Sequence, residues 1–189
     1  MDTLGAQFLV GPSNTASVDA IGGNRTLEIV APRADITSVQ VTGAGTLSHG
    51  QTTNGGGMST VTWDDNASGL GGLDLTNGGF DIGLRVEILS IDVNAVTLQF
   101  MITDTLAQVS TLSLPGLTVG SNDVLFTGFT GSANFTIVDK IVFKITAETD
   151  SDLEIDFIET LKEVQIAEPP VLVMTVGLAG GMLLLRRRS

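Results

Sequence analysis

Residues 95–105 read AVTLQFMITDT. Every second side chain is apolar: Val96, Leu98, Phe100 and Ile102 share one face, and Thr97, Gln99 and Thr103 share the other. A period of two is that of an extended strand with one buried and one wet face, whereas a helix would repeat every three to four residues. KIVFKITAE (140–148) repeats the pattern with Ile141, Phe143 and Ile145 against Lys144 and Thr146. DLEIDFIETL (152–161) does so with Leu153, Ile155 and Phe157 against Glu154 and Asp156. One dry face per strand is the habit of antiparallel sheets.

Working outward, the same reading predicts strands near 27–31, 36–41, 59–63, 80–89, 108–114 and 124–129. Turn chemistry separates them. Asn77-Gly78-Gly79, Pro115-Gly116, the stretch 120–123 and the acidic run 148–152 carry residues that accept tight or left-handed backbone. About ten short strands with no amphipathic helix predict an all-β fold, an antiparallel β-sandwich or jelly roll over residues 1–162. SGLGGLDL (68–75) resembles a glycine-rich calcium turn ending in Asp74, but it occurs once and is read as a loop.

Composition narrows the chemistry. The 189 residues contain 9 Lys and Arg, 21 Asp and Glu, and no cysteine. Before Ala167 there are 6 basic and 20 acidic side chains, a net charge of −14. Such a domain repels nucleic-acid phosphates, so no nucleic-acid partner is expected. Without cysteine there is no disulfide framework, thiol nucleophile or thiolate metal site. His49 is the single histidine and reads as a loop residue in TLSHGQTTNGGG. No nucleophile-elbow sequence accompanies it, and most carboxylates fall on solvated faces. No residue is assigned to catalysis, and the protein is not expected to be an enzyme. Trp63 followed by Asp64, Asp65 and Asn66 is the best ligand-binding candidate: an exposed indole stacks on a sugar ring, and loop oxygens hold calcium. No cofactor is otherwise implied.

The C-terminus carries a different message. Residues 163–170 (EVQIAEPP) form a linker in which Pro169 and Pro170 disfavour both helix and ladder. Residues 171–189 follow with an uncharged apolar run from Val171 to Leu185, then Arg186, Arg187 and Arg188. As a helix, fifteen residues rise about 22 Å against a hydrocarbon core of about 30 Å, a short transmembrane helix with a basic stop. Positive charge is retained on the cytoplasmic side, which places the β-domain across the membrane.

An acidic-proline motif, a glycine-bearing apolar helix and a terminal arginine cluster, in that order, resemble the PEP-CTERM sorting signal. The matching residues are Ala167, Glu168, Pro169 and Pro170, with alanine in place of the motif's first proline, and the likeness covers roughly the last 23 residues. GGNRTLEI (22–29) and the closing strands of 128–161 are similar to strands of secreted proteins that carry this signal, and the closing pair to jelly-roll carbohydrate-binding modules. The resemblance implies an exported precursor, processed near Pro169 by an exosortase-type membrane protease. The released domain would then serve at the cell surface or in extracellular polysaccharide, with a structural or adhesive role. The alternative it leaves open is a carbohydrate- or calcium-binding module permanently anchored by its helix. Export also predicts a leader upstream of Met1, because MDTLGAQFLVGPSNTASVDA has no basic start and only a four-residue apolar run.

Overall fold

The computed structural model describes residues 2–6, 10–16, 21–30, 37–41, 45–51, 57–92, 96–148 and 150–162. Thirteen strands run through them: β1 Asp2–Ala6, β2 Val10–Ala16, β3 Asn24–Val30, β4 Thr37–Val41, β5 Leu47–Gln51, β6 Gly57–Trp63 and β7 Asp81–Ile91. β8 Val96–Asp104, β9 Val109–Leu114, β10 Gly120–Leu125, β11 Thr130–Gly131, β12 Val138–Ala147 and β13 Leu153–Lys162 complete the set. They form two antiparallel sheets, of order β1-β4-β5-β13-β7-β10 and β11-β9-β8-β12-β6-β3-β2. The fold is the all-β antiparallel sandwich that the alternation predicts. Among the described residues no helix is long and apolar enough to cross a membrane. The linker 163–170, the apolar run 171–185 and Arg186, Arg187 and Arg188 lie outside them.

The core follows from the period of two. In β8 the inward residues Val96, Leu98, Phe100 and Ile102 are buried, and on β12 so are Ile141, Phe143 and Ile145. Register places Phe100 opposite Phe143, with ring centroids 4.8 Å apart. From the facing sheet Val39, Val86, Ile88, Leu153 and Ile155 close the layer. Burying such side chains is worth about 1.5–3 kcal/mol each before the entropy of ordering is subtracted.

Two strand boundaries depart from the sequence expectation. The strand expected at 124–129 is displaced: β10 occupies 120–125, starting in the stretch 120–123 where turn chemistry was read, and Phe126–Gly128 is a 3-10 turn. β10 is an edge strand whose buried apolar contribution is Val124 alone, so no apolar period marks it. The second departure is in β13. Ile155 lies opposite Ile88, but Phe157 lies opposite Glu87, so Asp156 is an extra residue on this strand. A bulge of this kind flips the alternation beyond it. Phe157, expected inside, turns out and is 41% exposed, while Ile158 takes the inward place and packs on the core.

Candidate functional site: a cleft between the sheets

The β4–β5 hairpin covers only part of β13. Leu47, Ser48 and His49 pair with Ile155, Glu154 and Leu153, and pairing stops there. From residue 156 to 162, β13 keeps its ladder with β7 but has no strand on its other side among the described residues. Where the sheet is incomplete, the sandwich opens into a cleft of about 510 Å³. Val61 and Trp63 of β6, Phe100 of β8 and Ile141 of β12 line it from one sheet. Val41 and Leu47 of the hairpin and residues 156–160 of β13 line it from the other, with Arg25 of β3 also bordering it.

Trp63, the single tryptophan of the chain, ends β6 half-buried, packed against both apolar clusters of the core and bordering the cleft. Asp64 and Asp65 are not among the residues that line the cleft. Asp64 accepts from the backbone of Ala67 at 3.1 Å and lies 3.6 Å from Lys140 Nζ. Asp65 accepts from Asn24 Nδ2 at 2.7 Å. Both carboxylates pin a turn in which Asp65, Asn66 and Ala67 all have positive φ. Among the described residues no group of three or more His, Asp and Glu side chains is placed to hold a metal ion. Asp74 likewise serves its own loop, accepting from Thr76 N, Thr76 Oγ1 and Gly78 N.

His49 is not in a loop. It stands on β5, 1% exposed, between the sheets. Its Nδ1 is 2.7 Å from Ser59 Oγ of β6 and its Nε2 is 3.1 Å from Gln51 Nε2. Burial pushes its pKa down from 6.5 to about 4, so the ring is neutral near pH 7. The inward residues of β5 are Leu47, His49 and Gln51, too polar a set for apolar periodicity to disclose a strand. At the far end of the cleft Thr160 Oγ1 donates to Asp81 Oδ2 at 2.6 Å, while the buried Asp81 Oδ1 has no hydrogen-bond partner.

The cleft combines the aromatic Trp63 and Phe100 and several aliphatic side chains with a strand edge and a few polar groups, the make-up of a site for a ligand with apolar faces and polar rims. Of its residues, sequence reading singled out Trp63. The β13 edge was not legible, because its availability depends on where a different hairpin ends.

No family model and no curated protein matches the chain. Solved structures similar to it include the carbohydrate-binding module CtCBM11, at 12% identity and a TM-score of 0.48 over 82% of this chain and 89% of that one. PfGH50B is similar at 17% identity and a TM-score of 0.46 over 74% of this chain, which spans 23% of PfGH50B. CsCBM6-3 from Clostridium stercorarium, solved with cellobiose, is similar at 14% identity and a TM-score of 0.32, covering 83% and 95% of the two chains.

Proposed function

We propose that the β-sandwich is a saccharide-binding module acting outside the cell, and that the intersheet cleft is its ligand site. The observation that carries this reading is the meeting, at one cleft, of half-buried Trp63 and the β13 edge, unpaired among the described residues. A sugar ring presents C–H faces to the former and hydroxyls to the latter. We read the domain as binding rather than hydrolysing. Asp156 and Glu159, the carboxylate-bearing residues of β13 at the cleft, are both exposed, without the apolar surroundings that equip a general acid.

Trp63 is the sole indole, so its fluorescence reports on the cleft directly. Soluble oligosaccharides are expected to quench or shift that emission saturably, with the same affinity by calorimetry. A panel of neutral and anionic oligosaccharides that produces neither signal would overturn the proposal, and release of reducing ends would replace binding by hydrolysis.

A second reading rests on the tail alone. Glu168-Pro169-Pro170, the apolar run and the three terminal arginines support a sorting signal processed by an exosortase-type membrane protease, with the polysaccharide matrix as destination. Mass spectrometry of protein recovered outside producing cells tests it. A C-terminus within 167–170 is expected; an intact Arg188-Ser189 end in the membrane fraction would make the tail an anchor.

A further inference from the structure

Six consecutive residues of β13, 155–160, line the cleft. Side chains on a strand alternate between faces, so they cannot all enter one cavity. Register settles which do not. Phe157 and Glu159 lie opposite Glu87 and Arg85 of β7. The β7 residues between and beside these, Leu84, Val86 and Ile88, are buried in the core, which puts Arg85 and Glu87 on the outer face. Arg85 there makes a two-point pair with Asp123, at 2.7 and 2.9 Å. What Phe157 and Glu159 present to the cleft is therefore main chain. Along an unpaired edge every second residue directs both its N–H and its C=O outward, giving a donor and an acceptor about every 6.8 Å.

The edge is a poor template for an incoming strand. The extra residue Asp156 breaks the register where pairing with β5 stops, and bulges re-aim an edge and terminate ladders. It remains a row of fixed donors and acceptors above an apolar floor. Charge decides between ligands of that shape. Arg25, the one basic residue bordering the cleft among the described residues, is already engaged within the fold. Asp156 borders the same opening, and the chain as a whole carries a net charge of −12.

The geometry points to an uncharged glycan chain that lies along residues 156–162 and is read by the main-chain edge of β13, with anionic sugars rejected. This inference rests on the saccharide reading and adds to it the mode of recognition and the ligand's charge class. It separates binding from side-chain identity: Phe157, exposed on the outer face, contributes backbone only, so Phe157→Ala is expected to keep affinity within about twofold.

The test is a ¹⁵N-resolved titration of the full chain with cellotetraose, β-1,4-galactotetraose and tetragalacturonate, following the Trp63 indole and the amides of 156–162. A neutral tetrasaccharide is expected to shift the indole together with alternate amides of 156–162, and to slow their exchange with solvent. Tetragalacturonate is expected to bind about tenfold more weakly or worse at low salt. Three results would overturn the inference while leaving the saccharide reading standing: a shifted indole with unmoved amides, tetragalacturonate binding as tightly, or a tenfold loss in Phe157→Ala. Silence of the indole toward every sugar would remove both. If an alternating Val-Thr peptide moved those amides and no sugar did, the edge would be a site of strand addition.

Discussion

His49 shows how one buried side chain ties stability to pH. Its folded pKa lies near 4 and its unfolded value near 6.5, so the unfolded chain binds the extra proton between those limits. The stabilisation is complete above pH 6.5 and is lost as pH falls toward 4, by about 3 kcal/mol in all. The inward residues of the strands around it, Val39 of β4, Leu153 of β13 and Ser59 of β6, offer no counter-charge. The melting temperature is expected to drop over that window, and His49→Leu to flatten the drop while lowering stability at neutral pH by unpairing Ser59. An unchanged pH profile in that variant would show that another group sets the acid limit. Asp104 acts in the same direction at lower pH. The backbone N–H groups of Asn134, Gln108 and Leu106 hold its carboxyl below the usual range, so its contribution vanishes as pH falls through that lowered value.

At the scale of elements, the sheets are registered by close approaches and by bulges, three of the register shifts falling between β13 and β7. A Cβ on Gly83 would lie 2.1 Å from the carbonyl oxygen of Val124, because β7 and β10 pack there with no room for a side chain. Gly83→Ala is expected to cost roughly 1–3 kcal/mol, read as a lower urea midpoint at unchanged slope, through displacement of β10. Deleting Asp156 removes the extra residue and leaves Ile155 inward, Phe157 outward and Ile158 inward, the plain alternation of an unbulged strand. We expect stability to change by no more than about 1 kcal/mol by the same denaturation assay. A loss of several kcal/mol would show that the bulge itself is needed to fit β13 against β7.

For the whole molecule, the two inner faces share one continuous set of contacts. Trp63 touches both the large apolar cluster and the smaller one around Leu75, Ile102, Val138 and Ile141. Loss of its native fluorescence and loss of sheet circular dichroism are therefore expected to coincide in one cooperative transition. Separated midpoints would show that the two clusters melt independently. The acidic surface also predicts stabilisation by moderate salt, since most of the 21 acidic side chains repel one another across water.

Residues alone determined the fold class, the inward faces of β8 and β12 and the turn positions around Asn77 and Pro115, because apolar alternation and backbone preference are local properties. They also carried the net negative charge that argues against a nucleic-acid partner and marked Trp63 as a candidate. Tertiary structure decided the rest. His49 became a buried link between sheets because β6 placed Ser59 beside it. Asp64 and Asp65 became turn anchors because Ala67, Asn24 and Lys140 took up their oxygens. The cleft exists because the β4–β5 hairpin stops short of β13, and Phe157 left the core because Asp156 had no partner on β7. Each of these depends on the pairing of strands distant in sequence, where one residue of register exchanges the inside for the outside.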